Sequence, residues 1–480
     1  MSGRPRPRRL PDGATVRIRT DITRLDGGRL LIGGSPLRAL RLPESLAAWA
    51  ASEEPTVRDA ATADLAARLL AGNLADPTPP VPVDAGELTV VIPVRDRAEQ
   101  LDRALAALAG LAVVVVDDAS HEPEAVHAVV TRHGAELVVL TENLGPAGAR
   151  NAGLARVRTA YVAFVDSDLV VAPETLRAVA GHLGDPQVVL VAPRVRGRRP
   201  GTRAPRWFER YDAAASSLDL GGRGGSVQPG AAVSYLPSAC LVARVEALGE
   251  GFRADLRAGE DVDLVWRLVG AGRTVRYDPS HEAAHDVRDT ARGWLGRKVV
   301  YGSSAAELAA RHGQAVAPAV LSPVMAVAGA AILLCRPWAV PVALLATAWS
   351  ARQVAGTLPA VPGRTRLAAE LALRGLGWAV RQEATLLLRH WWPAVVPAAI
   401  ASAAVRRAVG TALLIDTAVA LTLDRPDPVA GVRLDPATRV LGRRLDDLAY
   451  GAGVWLGAAR RRSLACLRPR IVRSSSGQQG

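Results

Sequence analysis

A chain of 480 residues exceeds what one hydrophobic core usually organises, so two or three structural units are expected. Ala, Val and Leu supply most of its 49% apolar residues and aromatics only 4%, a mixture that favours long helices. The formal charge of +13 is almost wholly arginine, Lys298 being the only lysine. No basic helix is interleaved with aromatics and no zinc-finger, RNA-recognition or helix-turn-helix signature occurs, so nucleic acid is set aside as a partner; an anionic membrane surface or a phosphorylated substrate fits the charge.

The N-terminus is basic but runs straight into polar sequence without an apolar stretch, unlike a secretory signal. Cys240, Cys335 and Cys466 match neither a disulfide framework nor a metal-ligand spacing, and read as reduced, buried thiols of a cytosolic protein. Residues 12–76 combine short alternating stretches with Ala/Leu-rich helical segments around 44–51 and 59–71, a small strand-plus-helix unit. The proline-rich run at 76–83 cannot continue a helix and reads as an extended linker. We therefore expect a first domain over 1–82.

From Glu87 the pattern changes to apolar runs of strand length separated by helical stretches: LTVVIPV, AVVVVDDAS, LVVL and YVAFVDSDLVV. This predicts an α/β domain over 83–314 with a Rossmann-like, mostly parallel sheet and crossover helices, binding its ligand at the carboxyl ends of the strands. The second strand ends at Asp117 and Asp118, either of which would accept a hydrogen bond from a base imide N–H; a helix-capping role is the competing reading. The turn from Asn143 to Leu154 carries Gly145 and Gly148, which permit close approach to a diphosphate, and Arg150, a cation for its oxygens; a plain strand-to-helix turn reads the same way. The strongest signal is the strand ending at Asp166 and Asp168, two carboxylates two residues apart and within reach of one divalent cation, Mg2+ or Mn2+. Glu260, Asp261 and Asp263 then open an amphipathic helix, as capping alone would also favour, and one of them is placed to act as a general base. His285 is either a further metal ligand or a structural histidine.

In this order these elements resemble the family-2 glycosyltransferases of the GT-A fold, over about 200 residues. The resemblance implies a nucleotide-sugar site with Asp117 or Asp118 on the base, Arg150 on the diphosphate and Pro93, Arg95 and Ser167 around the donor. It further implies Asp166, Asp168 and His285 on the metal, and Asp261, with Glu260 beside it, as the catalytic base. The Gln-x-x-Arg-Trp motif of processive synthases does not follow Asp261, which argues against a cellulose-synthase-like enzyme. Segments 216–221, 235–244, 259–268 and 301–312 are more closely similar to the mycofactocin-system glycosyltransferases. That likeness implies transfer of glucose from UDP-glucose to a peptide-derived redox cofactor precursor. It also implies a PqqD-like, winged-helix-like first domain that holds the precursor. A lipid or polysaccharide acceptor and an inactive binding scaffold are the competing readings.

Residues 315–480 are expected to form an apolar helical region with a basic tail. Two uncharged stretches, 318–335 and 337–350, are separated by Arg336, and Trp338, Trp349, Trp391 and Trp392 stand at the ends of apolar segments. We expect attachment to the cytosolic leaflet, through a helical hairpin or through helices lying in the interface, against the alternative of a soluble helical layer.

Overall fold

Alternating apolar residues become strands where one face can be buried. In the computed structural model, which describes residues 10–78, 81–199, 201, 203–423 and 434–472, the first such segments are β1 (Val16–Ile18), β2 (Thr23–Leu25), β3 (Leu30–Gly33) and β4 (Arg38–Arg41). They are followed by α1 (Glu44–Trp49), α2 (Ala60–Ala71) and β5 (Ala75–Pro77). β2, β3 and β4 form an antiparallel meander, while β1 pairs with β5. Leu31, Trp49, Leu65 and Leu69 lie in their shared core. Asp59 and Thr62 cap α2 reciprocally: Thr62 N–H donates to Asp59 Oδ1 at 2.9 Å and Asp59 N–H to Thr62 Oγ1 at 3.0 Å. The proline-rich run is partly structured, since Asp76 and Pro77 belong to β5; Pro79, Pro80 and the basic stretch 1–9 lie outside the described residues.

The Val-rich runs form the next strands, β6 (Leu88–Val94), β7 (Ala112–Asp117), β8 (Glu136–Val139) and β9 (Tyr161–Val165), separated by α3 (Ala98–Ala107), α4 (Pro123–His133) and α5 (Gly145–Leu154). β-branched residues suit a strand covered on both faces, and Val90, Ile92, Val115 and Val162 are completely buried. Then come β10 (Leu169–Val170), α6 (Pro173–Gly181), β11 (Val188–Arg198), α7 (Trp207–Ala214), β12 (Gly225–Ser226), β13 (Cys240–Arg244), α8 (Glu260–Gly270) and β14 (Thr274–Asp286). The strand order is β10-β14-β11-β13-β9-β6-β7-β8, with β12 on β14.

The expected parallel sheet holds from β8 to β9. Beyond it the sheet is mixed, because β13 enters antiparallel between β9 and β11, while β14 runs parallel to β11. Strand order reverses at β6: the chain builds outward to β7 and β8, then returns to lay β9 on the other side. Such a switch point opens a crevice beyond the strand ends. α5 closes tightly over it, since a Cβ on Gly153 would stand 2.3 Å from Val91 Cγ1.

The chain divides into two compact units, one of Met1–Ala204 and Ala215–Val287, the other of Pro205–Ala214 and Arg288–Gly480. The second is helical, with α9 (Ala291–Ser303), α10 (Ala305–His312), α11 (Pro323–Leu334), α12 (Ala339–Thr357), α13 (Arg364–Thr385), α14 (Trp392–Ala401), α15 (Ala403–Thr422) and α16 (Pro436–Arg461). A π-helical turn, Leu386–His390, joins α13 to α14. α16 crosses α9 at backbone contact: a Cβ on Gly453 would stand 2.1 Å from Val299 O, and one on Gly302 2.1 Å from Tyr450 O. Lys298 is buried inside this unit, its Nζ 2.6 Å from Asp446 Oδ2, and Arg389 reaches Asp447 at 2.6 Å.

Among the described residues no helix is long and apolar enough to cross a membrane, which removes the spanning-hairpin form of the expected attachment; Arg336 and Pro337 split the apolar stretches into separate helices. Cys240 and Cys466 are buried as expected, but Cys335 is exposed at the left-handed residue that ends α11. All three are free thiols.

Candidate active site

The ends of β6, β7 and β9 open together at the switch point. Asp117, wholly buried, accepts the Ser120 N–H on Oδ1 at 3.0 Å, while its Oδ2 stands 3.5 Å from His127 Nε2 on α4 and makes no hydrogen bond among the described residues. Asp118 accepts the Leu144 N–H at 2.7 Å and is 6% exposed; burial raises its carboxyl pKa although the Leu144 and Gly145 N–H groups pull the other way. Pro93 sits in β6 opposite Val116, and Arg95 follows that strand directly, its Nε 3.8 Å from Asp96. Gly145 takes a φ of +74°, the left-handed conformation that glycine reaches without strain.

Arg150 is not an open phosphate cation. It is 2% exposed and forks between two acids, Nη2 to Asp166 Oδ1 at 2.6 Å and Nη1 to Glu260 Oε1 at 2.9 Å. Burial works against its charge, but Asp166 and Glu260 outweigh burial and leave its pKa raised. The next residue, Asn151, clamps the chain before α8, its carboxamide exchanging hydrogen bonds with the Phe252 backbone at 2.7 and 2.9 Å.

Asp168, 6% exposed, is ion-paired with Arg97 and stands 3.4 Å from His285 Nε2. The encounter is set by register: β10 pairs antiparallel with the end of β14, Leu169 opposite His285. Ser167 is buried between the two aspartates. The three expected metal donors are therefore not gathered at one point, since Asp166 is engaged by Arg150, and among the described residues no cluster of three such side chains is close enough to hold an ion. A carboxylate beside an imidazole nevertheless fits a divalent cation whose remaining ligands come from a diphosphate.

Asp261, in the first turn of α8, accepts the Ser238 N–H at 3.1 Å and the Val262 N–H at 2.8 Å. Burial first, and the neighbouring Glu260 charge second, push its carboxyl up to about 7. Ser238 Oγ also lies 3.4 Å from Glu260 Oε1. A continuous polar path thus runs from Asp166 through Arg150, Glu260 and Ser238 to Asp261.

Arg97, Asn151 and Ser238 were not singled out in the sequence. Arg97 was visible as the second arginine after the first strand; Ser238 carried no signal, since its contribution is a backbone N–H.

The glycosyl transferase family 2 model matches residues 89–252, which span β6 to β13 of this sheet. Over 467 residues the chain is 39% identical to the pre-mycofactocin glycosyltransferase of Mycobacterium tuberculosis, recorded in two strains, covering 96% of this chain and 99% of the relative. A shorter likeness, 37% over 105 residues, joins it to the succinoglycan biosynthesis protein ExoO of Rhizobium meliloti and covers 21% of this chain and 30% of that protein. Among solved structures, the mannosyltransferase of Pyrobaculum calidifontis in complex with GDP-Man and Mn2+ aligns with a TM-score of 0.38 at 22% identity, over 63% of this chain and 86% of that one. The chain is a glycosyltransferase of family 2, and it belongs to the family of pre-mycofactocin glycosyltransferases.

Proposed function

We propose that this protein is an inverting glycosyltransferase that moves glucose from UDP-glucose onto a mycofactocin-type, peptide-derived redox cofactor precursor. The observation that carries the mechanism is Asp261: a carboxyl pushed up to about 7, fixed by two backbone N–H groups and linked through Glu260 and Arg150 to the Asp166 strand end. A base of that strength is matched to an acceptor hydroxyl near neutral pH. In this reading Asp118 or Asp117 selects the base of the nucleotide, and Pro93, Arg95 and Ser167 line the donor. Arg150 acts by holding Asp166 and Glu260 in place. The acceptor hydroxyl gives its proton to Asp261 as its oxygen bonds to the anomeric carbon, and the diphosphate leaves from the opposite face. Asp168 and His285, with Asp166 nearby, would hold a divalent cation, which when bound neutralises charge on the leaving diphosphate. Residues 12–76 hold the precursor.

The test is incubation of the purified chain with several nucleotide sugars, reading diphosphate release and the mass shift of the acceptor. A mass gain of one hexose with UDP-glucose is expected; turnover only with a polyprenyl or glycan acceptor rejects the proposed acceptor.

We further infer that the helical unit lies on the cytosolic leaflet of the membrane. On α12, Val340, Leu344, Leu345 and Trp349 are all exposed, spread over about half of the helix circumference, and Arg460, Arg461 and Arg462 are exposed at the end of α16. Flotation with anionic but not zwitterionic vesicles is expected; no flotation with either overturns this placement.

A further inference from the structure

The loop between β12 and β13 is held at both ends by groups of different origin. At its start, the Asn73 carboxamide, 4% exposed at the end of α2, grips the Ser226 backbone in both directions. Asn73 Nδ2 donates to Ser226 O at 3.0 Å, and Ser226 N–H donates to Asn73 Oδ1 at 2.6 Å. Ser226 Oγ adds a bond to Leu70 O at 3.0 Å, and Arg19 reaches Gly224 O at 2.6 Å. Gly225 has no room for a side chain, because a Cβ there would stand 2.3 Å from Asn73 Oδ1. Further along, Ala232 N–H donates to Ser35 Oγ at 2.6 Å. The four residues that make these contacts, Arg19, Ser35, Leu70 and Asn73, belong to the small N-terminal fold.

The same loop then enters the catalytic core. Val227, Val233 and Leu236 are buried there with Leu264 and Val265 of α8. Trp266 Nε1 donates to Ser234 O at 2.6 Å. Four residues later Ser238 presents its N–H to Asp261 and its hydroxyl to Glu260. Within twelve residues the chain passes from the grip of Asn73 to the catalytic base. It is pinned along that path by apolar burial that leaves little slack.

We propose that residues 226–238 are a strap through which the N-terminal fold sets the position of Asp261, with Asn73 as its positioning residue. The proposal rests on the reading of Asp261 as the base and of residues 12–76 as the precursor-holding fold. The precursor, bound to that fold, is thereby placed in register with the base that acts on it, and occupancy of the fold is felt at the base through the strap. Asn73 touches neither substrate nor reacting atoms; its effect reaches the chemistry through Ser226, Ser234 and Ser238.

The experiment compares the native chain with Asn73→Ala, Gly225→Ala and the milder Ser35→Ala, and uses Glu136→Ala as control. Glu136 forms an exposed ion pair with Arg156, away from the strap and from residues 12–76. With UDP-glucose as donor, kcat is expected to fall about tenfold to a hundredfold in the first two variants, as for a base displaced by a fraction of an ångström to an ångström. The donor KM should stay near native, the pH midpoint of kcat should move, Ser35→Ala should show the same signature more weakly, and Glu136→Ala should match the native chain. Hydrogen exchange, which needs no substrate, is read in the same proteins: faster exchange over 233–238 and at the start of α8 is expected in Asn73→Ala and Ser35→Ala. Folded variants with native kcat and pH midpoint overturn the proposal. So does exchange that changes only around 70–76 and 224–228. A native chain that does not turn over UDP-glucose rejects the donor assignment instead, and the exchange data then decide the strap alone.

Discussion

Arg150 Nη2 lies 2.6 Å from Asp166 Oδ1, so the first carboxylate of the Asp-Ser-Asp strand end is paired inside the protein while the second, Asp168, stands by His285. The two aspartates therefore have separable duties. Asp166→Asn leaves the buried guanidinium with Glu260 as its remaining ion-pair partner and should destabilise the fold by about 2 kcal/mol, less than the full loss of a completely buried pair because the Asp166 side chain is 31% exposed. Asp168→Asn should abolish nearly all transfer, with a stability change under about 1 kcal/mol, since its partner Arg97 is one-third exposed and readily hydrated. Denaturant unfolding alongside turnover separates the two, and equal destabilisation would refute the division.

Replacing Asp261 by Asn keeps the shape of the first turn of α8 but removes the proton acceptor. A loss of about a thousandfold in kcat is expected, within the usual range for general base catalysis, with donor affinity nearly unchanged. A parallel loss in donor affinity, measured by calorimetry, would make Asp261 a binding residue.

The pH profile follows from the same group. A base works ionised, and Asp261 is pushed up to about 7, so kcat/KM should rise as pH increases through that value and fall below it. Because Glu260 is the second cause of the shift, Glu260→Gln should move the midpoint downward. A midpoint that stays in place in this variant would remove Glu260 from the account.

Glu383 on α13 packs against Gly329 of α11, where a Cβ would stand 2.7 Å from its Oε2, and burial pushes its carboxyl up to about 7. A carboxyl raised in the folded state costs stability as pH climbs from its ordinary range to its folded value, then no more. Glu383→Gln should therefore raise the melting temperature at pH 8 and leave it nearly unchanged at pH 4. The opposite ordering in thermal melts would show that the charged form is stabilised.

Gly453→Ala should destabilise the helical unit by about 3 kcal/mol, because the added methyl meets the Val299 carbonyl rather than a side chain that can turn aside. Chemical denaturation measures this; a neutral result would mean that α9 and α16 slide apart at little cost.

Much of the catalytic sheet was legible because its strands are continuous Val and Ile runs, which suit burial on both faces and end abruptly in acids. The antiparallel insertion of β13 was not, since CLVAR has the same apolar character as a parallel strand and direction leaves no trace in composition. Asp261 could be read from its place at a helix start. The raised carboxyl of this proposed base could not, because it depends first on burial and then on Glu260 beside it, against the opposing pull of the Val262 and Ser238 N–H groups. Arg150 was read as a phosphate ligand because an arginine next to a glycine turn ordinarily faces solvent; two acids distant in sequence, Asp166 and Glu260, draw it inward. Cys335 was misplaced by its apolar neighbours, which belong to the helix that ends there.

The pairing of Leu169 with His285 joins positions 116 residues apart and is held by a strand of only two residues, β10. The β8-β7-β6-β9 half of the sheet can zip from near-neighbour contacts soon after the first 165 residues exist. Asp168 and His285 meet only when the last strand of the catalytic unit has docked. On the proposed assignment, a nascent chain carries the strand ends that meet the nucleotide before it carries the pair that meets the diphosphate. Asp168 beside His285 is thus a late product of folding, absent until β14 has docked.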